Sequence, residues 1–431
     1  MVLSALLTNY STYLMLAYLV YAFYQPEILS ESPLSRALPY FKLGIVLFLL
    51  KKWFWDQPRP EKNVTMRVDE QNEFRTKGNL LDAEGRLIEA GWSRKPIKHF
   101  SPEKIGGLFF GFKSLNALRI KKFEYYSFLA GPKLVQIIPA NIGYGASLFV
   151  NVFDFETKRA EKFGDKMLPM LESKHFPRLA GNPFECQTAS YEFKKGDFHL
   201  QVHQSEDKQI KAHKTTFDLR ISNIIAAQLT CERDLTQDDH FEAYQSDDNP
   251  QYFYYNLKSY DNRWTGVFTY RGNQTQFGPR QGIGACDYGR GVLPYKTSWI
   301  WGSAFGKLRD GRVFGLNLGG GIGVESRSVE DYFKLDGKIH KLNPITIPYR
   351  PGDKVDTVPL NTNPDLKAET SVAQIDFKPL GFNEVSENLL VIVSSIKYVY
   401  GTFSGYVIDE KNHKTSFEEI LGMIEWGQFK W

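Results

Sequence analysis

The chain has 431 residues, with aromatics at 15%, 35 Gly, and 53 Lys and Arg against 49 Asp and Glu for a net charge of +4. That length exceeds one small core and points to two domains, while the aromatic and glycine content favours β-sheet. The small, evenly mixed charge excludes a nucleic-acid surface, and three widely spaced cysteines, Cys186, Cys231 and Cys286, exclude a disulfide framework and read as buried, inert thiols.

Residues Val2–Tyr24 carry no charged side chain, about the length a membrane-crossing helix needs. A second apolar run, Leu38–Leu50, contains only Lys42 and is followed by Trp53, Phe54 and Trp55. No Lys or Arg precedes Arg36, and bulky Tyr21, Phe23 and Tyr24 stand where a signal peptide would be cut. The pattern predicts a retained anchor over residues 1–57, either one span or a helical hairpin. Lys51, Lys52, Arg59 and Lys62 put the large domain on the cytosolic or matrix side, with the organelle left open between the mitochondrial inner membrane and an endomembrane. Pro58-Arg-Pro60 breaks any helix and opens a linker over 58–69. Asn63-Val-Thr65 and Asn273-Gln-Thr275 match a glycosylation triplet that is frequent by chance.

From there short strands follow one another. Gly78–Leu81 leads to a turn at Asp82–Gly85, and Leu118–Phe128 and Lys133–Pro139 have strand composition. Phe153–Glu172 is charged and aperiodic, which predicts a loop or short helix. Phe198, Leu200 and Val202 alternate with polar residues, as do residues in Thr215–Ile221, and strand signals return at Gln251–Leu257 and Gly266–Tyr270. Ser298–Phe305 and Arg312–Gly319 form a hairpin across Asp310-Gly311. Gly319, Gly321 and Gly323 then recur with period two, which predicts a strand face approached closely by another group. Leu389–Tyr400 is strongly β-forming, and Thr402–Ile408 and Thr415–Met423 flank a polar turn at Glu410–His413. Spaced strands without helices predict two antiparallel barrel or sandwich lobes, over residues 70–240 and 241–431.

The segment Asp287–Gly323 concentrates the candidate site. Trp299 and Trp301 lie two apart and share a strand face, a wall for an apolar ligand or plain core. Asp287, Arg290, Tyr295 and Asn317 are the polar groups beside that wall, with Asp287 and Arg290 also readable as a structural ion pair. His340 follows an Asp336-Gly337 turn, and adjacent Lys341 points the other way, so only one of the two can face a cavity. His199 and His203 have helical ligand spacing on a strand pattern, so no metal is expected. Val324-Glu325 stands where a phosphate loop needs Lys-Ser/Thr, and no nucleophile elbow frames Ser404, so no cofactor or reaction is readable.

Several motifs together resemble the proteins grouped as domain of unknown function 2804. They are Gly78-Asn79-Leu80-Leu81, Gly91-Trp92-Ser93, Asp287-Tyr-Gly-Arg-Gly-Val, Tyr295 with Trp299 and Trp301, Gly315-Leu-Asn-Leu-Gly-Gly-Gly321, His340-Lys341, Gly401-Thr-Phe-Ser-Gly405 and Trp431. The resemblance covers about residues 70–431. It is similar, more distantly, to two-lobed lipocalin-like proteins that include carotenoid hydratases and stress-survival lipid-binding proteins. The chain departs from the pattern at Tyr288 and Leu293, where Trp is frequent, and at Glu425-Trp426-Gly427-Gln428, where a His-rich stretch is frequent. If that stretch does chemistry in relatives, this chain has kept the fold and lost the reaction.

The resemblance implies two lipocalin-like lobes, here with a membrane anchor, and an aromatic-lined cavity that binds an apolar ligand such as a lipid or isoprenoid. Asp287, Arg290, Tyr295, Asn317 and His340 would supply polar contacts, and Trp299 and Trp301 the walls. Two alternatives stand beside it. One is a hydratase or isomerase of an unsaturated lipid with Asp287 as general acid. The other is a structural accessory subunit of a larger membrane complex, a respiratory one for example. Membrane lipid or a membrane protein complex is the expected partner.

Overall fold

The computed structural model describes residues 66–101, 105, 120–143, 145–169, 188–246, 249–323, 325, 327–349, 353, 355–389 and 392–430. The expected anchor and linker up to residue 65, and Cys186, lie outside the described residues. Among the described residues no helix is long and apolar enough to cross a membrane.

Strand follows strand. The chain lays down β1 (Gly78–Asn79), β2 (Gly91–Ser93), β3 (Lys98–His99), β4 (Ile120–Ala130), β5 (Lys133–Asn141), β6 (Gly145–Asp154) and β7 (Arg159–Pro169). Then come β8 (Ala189–Lys195), β9 (Phe198–Asp207), β10 (Ala212–Ile221), β11 (Ile225–Asp234), β12 (His240–Gln245), β13 (Phe253–Tyr270) and β14 (Asn273–Val292). The last nine are β15 (Lys296–Lys307), β16 (Val313–Gly320), β17 (Tyr332–Leu335), β18 (Lys338–Lys341), β19 (Ile345–Thr346), β20 (Val358–Thr362), β21 (Val372–Leu389), β22 (Ile392–Ile408) and β23 (Lys414–Lys430).

Two large antiparallel sheets result. The first runs β7-β6-β5-β4-β14-β13-β11-β10-β9-β8, with β12 and β2 added beside β13. The second runs β18-β17-β16-β15-β23-β22-β21-β20-β19. Alternation makes these strands: in β9, Phe198, Leu200 and Val202 are buried while Gln201 and His203 are exposed. Each sheet encloses its own apolar cluster, with Tyr126, Phe128, Phe217 and Trp264 in the first and Phe314, Phe377, Phe403 and Phe417 in the second.

A third cluster joins the sheets. It contains Tyr125, Phe153, Tyr260, Trp301, Tyr332, Tyr398 and Tyr400. Phe153 and Tyr400 stack at 4.3 Å and 7°, and Tyr400 donates its hydroxyl to Gln136 Oε1 at 2.8 Å. Lys334 Nζ donates to the Tyr260 carbonyl at 2.8 Å, and Tyr260 shares a hydroxyl bond of 2.8 Å with Ser303. Rings supply area and tyrosine hydroxyls bond across the seam, so the lobes meet through a shared core.

The sequence expectations hold for the hairpin of β15 and β16, whose ladder ends at Lys307↔Val313 around Gly311 at φ +87°. They hold for the β22–β23 hairpin too, where Val407 faces Thr415. Three features differ. The sheet changes between Val292 and Lys296, not at 240, because β12, β13 and β14 pair with the first sheet. Leu293-Pro294-Tyr295 carries the chain from one sheet to the other, and its one breaker, Pro294, does not by itself mark a change of sheet. The charged stretch Phe153–Glu172 contains the end of β6 and all of β7, an outermost strand of its sheet, where charges blunt an exposed edge. The glycine stripe is not one strand face: β16 ends at Gly320, and Gly321 turns the chain at φ +86°. Close approach is real at Gly319, where an added Cβ would stand 2.1 Å from Glu330 Oε2.

Candidate functional site

Where the first sheet's β4, β13 and β14 meet the second sheet's β15, β22 and β23, the aromatic seam opens into a recess of about 100 Å³. Its walls are apolar and aromatic, including Phe123, Tyr125, Leu293, Ile322, Ile396 and Phe429. Trp299 and Trp301 line it from one face of β15, as their spacing predicts. Trp299 stacks on Phe429 at 5.0 Å and 11°, and Trp301 meets Tyr125 edge-on at 5.0 Å.

Four ionisable groups form the floor: Lys258, Asp287, Glu330 and Glu425. Lys258 Nζ lies 3.1 Å from Asp287 Oδ2, 3.1 Å from Glu330 Oε2, and 4.1 Å from the Trp301 ring centre. Burial alone would lower the pKa of this ammonium, but the two carboxylates outweigh it and hold it above the ordinary lysine value. The ammonium is shared unequally. Burial raises the pKa of both carboxyls, but Lys258, Tyr244 and Asn256 bring Glu330 below its ordinary value. Asp287 stays above its ordinary value, because burial and the Glu330 charge outweigh Lys258. Among the described residues Asp287 Oδ1 has no hydrogen-bond partner.

Glu425 is the fourth group. Burial pushes its carboxyl up to about 7, against the opposing pull of the Trp299 N–H, which it accepts at 2.7 Å on Oε1, and of Lys258. The floor thus presents one ammonium and three carboxyls, with Glu330 drawn below its ordinary pKa and Asp287 and Glu425 pushed above theirs. Such a set can grip a polar end group, or hand a proton to a bound molecule and take one back.

The structure separates the residues expected to act together. Asp287, Trp299 and Trp301 line the recess. Arg290 does not, and it does not pair with Asp287. Three residues apart on a strand, the two side chains leave opposite faces. Arg290 points into the first lobe, where its Nη2 donates to Glu124 Oε1 at 3.3 Å amid Tyr126, Tyr191 and Gln204. Asn317 stands behind the wall, accepting from Trp301 Nε1 at 2.8 Å and donating to the Glu330 carbonyl at 2.7 Å. Tyr295 lies half-buried in the connector and outside the recess lining. His340 and Lys341 diverge as adjacent strand residues must. Lys341 bonds buried His240 at 3.0 Å, and His340 faces Glu410 at 2.9 Å, away from the recess lining.

Lys258, Glu330 and Glu425 were not among the sequence candidates. Their one signal is a charge inside an apolar, inward-reading run, as in Tyr254–Tyr260 and Ile420–Trp426. Cys231 and Cys286 are buried as expected, 3.5 Å apart at sulfur. A larger hollow of about 590 Å³ lies on the outer face of β8–β11. It is an open trough whose lining is mostly polar, with Ser190, Glu192, His203, Thr216 and Asp218 beside Tyr191 and Phe217.

Residues 71–431 match the family described as Domain of unknown function (DUF2804). No curated protein matches the sequence significantly. Among solved structures, the crystal structure of CghA with Sch210972 aligns at a TM-score of 0.43 and 10% identity, over 72% of this chain and 88% of that one. Kievitone hydratase from Nectria haematococca aligns at 0.42 and 8%, over 86% and 97%. These values are too low to carry a function or a site residue from those proteins to this chain.

Proposed function

The chain belongs to the family described as Domain of unknown function (DUF2804), which assigns no activity, and we therefore propose from the recess itself that it binds one end of an apolar ligand, a lipid or an isoprenoid. The observation that carries this is the pairing of an aromatic enclosure with a buried ionic floor, Lys258, Asp287, Glu330 and Glu425. Small-molecule sites combine apolar walls with a few polar groups that fix orientation.

The volume limits what enters. About 100 Å³ is room for about three waters, well under the roughly 300–1,000 Å³ of a whole-ligand pocket. A terminal unit of the ligand enters and the remainder lies across the mouth. Asp287 Oδ1, without a protein partner among the described residues, favours an end group that donates a hydrogen bond, such as a hydroxyl. The charge-free run Val2–Tyr24 would tether the chain to a bilayer, with the large domain on the cytosolic or matrix face.

A second reading is favoured by the same floor. Burial pushes the Asp287 carboxyl above its ordinary value and the Glu425 carboxyl up to about 7, and carboxyls so raised beside Trp301 and Tyr125 suit protonation of an unsaturated lipid, with Asp287 or Glu425 as the acid and the other as base. A hydratase or isomerase would lose turnover in Asp287→Asn and keep ligand binding.

The test is purification of the full chain from native membrane in mild detergent, followed by mass spectrometry of everything that accompanies it. A near-stoichiometric lipid, lost in Trp301→Ala, is the expected result. A fixed set of membrane proteins with no lipid above background overturns the binding proposal and makes the chain an accessory subunit, its lobes filled by their own side chains.

A further inference from the structure

His340, set aside by the recess, belongs to a second constellation. It stands on β18, an edge strand of the second sheet, and faces the turn between β22 and β23, seventy positions further along the chain. Its Nδ1 lies 2.9 Å from Glu410 Oε2 and 3.9 Å from Asp409 Oδ2. The three ligand atoms all fall within 4.8 Å of one another. We propose that His340, Asp409 and Glu410 bind a divalent first-row transition-metal ion of the Zn²⁺ type.

The donor chemistry narrows the ion. One imidazole nitrogen with two carboxylate oxygens suits Zn²⁺ and its neighbours, whereas Mg²⁺ and Ca²⁺ favour oxygen alone. Zn–N and Zn–O bonds of about 2.0–2.2 Å place tetrahedral ligand atoms about 3.3 Å apart. The observed 2.9 and 3.9 Å straddle that spacing, so small side-chain adjustments suffice.

The donors are also held ready. The His340 ring is stacked on Phe333 at 4.8 Å and 14°, which fixes its plane. Asp409 is anchored through Oδ1, which accepts the backbone N–H of Lys411 and of His413 at 2.8 Å each, leaving Oδ2 for the ion. His413 Nδ1 lies 3.1 Å from that Oδ2 and would orient the ligating carboxylate, as hydrogen-bonded neighbours of metal ligands do. Lys414, next in sequence, is held over the Tyr406 ring at 3.6 Å rather than against these carboxylates. His340 and Asp409 are largely buried, while Glu410 at 46% exposure leaves an entry path.

The ion's effect would be mechanical. It would clasp the edge strand β18 to a hairpin turn in the middle of the same sheet, closing the second lobe on itself. Its binding free energy would add to the stability of that lobe.

The test uses the purified full chain, without a histidine tag and stripped with chelator, titrated with ZnCl₂ by calorimetry and by thermal denaturation. One Zn²⁺ per chain with a raised Tm is expected, no comparable rise with MgCl₂, and affinity lower by about tenfold or more in His340→Gln and in Glu410→Gln. His199→Gln, on the other sheet, should bind as wild type does. Glu410 is exposed enough that its substitution leaves the fold intact, so that variant decides alone if His340→Gln unfolds. Absence of saturable Zn²⁺ binding, or equal affinity in wild type and Glu410→Gln, overturns the site and leaves a hydrogen-bonded turn.

Discussion

Trp299 stands directly opposite Gly427 in the β15–β23 ladder, and the missing side chain there is what lets its indole lie across the strand to reach Glu425. A Cβ at position 427 would sit 2.1 Å from Trp299 Cε2. Gly427→Ala therefore forces the ring out of its stack on Phe429 and breaks the N–H bond to Glu425. Stability should fall by about 1–3 kcal/mol, the usual range for overpacking. Because that bond lowers the Glu425 pKa, its loss should move the carboxyl above its present value of about 7. Carboxyl-labelled NMR of Glu425 reads the shift, and an unmoved titration with unchanged near-ultraviolet circular dichroism would refute the arrangement.

Glu425 itself makes stability depend on pH, and the sign follows from the direction of its shift. Its folded pKa of about 7 exceeds the ordinary 4.5 of the unfolded chain. Between those values the folded state keeps a proton the unfolded state has lost, so stability falls as pH rises and levels off above about 7. The accumulated loss is about 3 kcal/mol at 1.36 kcal/mol per pKa unit. Glu425→Gln keeps the acceptor for Trp299 and never ionises. It should match wild type near pH 4.5 and exceed it above pH 7. Glu242, also raised to about 7 by burial, leaves a residual slope in both proteins, so the difference between their denaturation curves is the quantity to measure.

How far the sequence carries is clear at particular residues. The shared strand face of Trp299 and Trp301 and the Asp310-Gly311 hairpin were legible because period two and turn chemistry are local. Asp287 was legible as a pocket carboxyl, but its partner was not. Arg290 lies nearer in sequence, yet Lys258 arrives only through the β13–β14 register, where it faces Asp287 directly. Glu330 lies outside any named strand and Glu425 on the last one, so neither proximity nor motif unites them. Glu425, in the segment where the family resemblance implies a His-rich stretch, gives the recess its fourth ionisable group.

Among the described residues Lys258 is the counter-charge that the buried carboxyls of Asp287 and Glu330 share. Lys258→Met fills similar volume over Trp301 and leaves Asp287 and Glu330 facing each other unpaired. Removing one partner from a buried ionic group costs about 3–5 kcal/mol. Urea denaturation should show that loss, and adding Asp287→Asn with Glu330→Gln should restore most of it. A triple variant no more stable than Lys258→Met would mean that the lysine acts by packing rather than by charge.

Arg290 offers the sharpest separation of recess from scaffold. It and Asp287 leave opposite faces of β14, so one serves the first lobe's interior and the other the interlobe floor. Glu124 accepts from Arg290 at 3.3 Å, from the Tyr126 hydroxyl at 2.8 Å and from the Tyr191 hydroxyl at 2.6 Å. Arg290→Met removes the only guanidinium in that set of bonds and should cost about 3–5 kcal/mol in urea. Lys122, which burial and then the Arg290 charge hold down to about 7, should titrate higher in the variant. Retention of the lipid fraction that co-purifies with wild type should be unchanged, because no atom of the recess lining is Arg290's. Asp287→Asn should do the reverse, altering lipid retention or turnover at little cost in stability, since a neutral amide is easier to bury than a carboxyl whose pKa burial already raises. If Arg290→Met released the lipid at temperatures where the chain stays folded, the ligand would lie inside the first lobe, and the floor of Lys258, Asp287, Glu330 and Glu425 would be a structural ion cluster between the sheets.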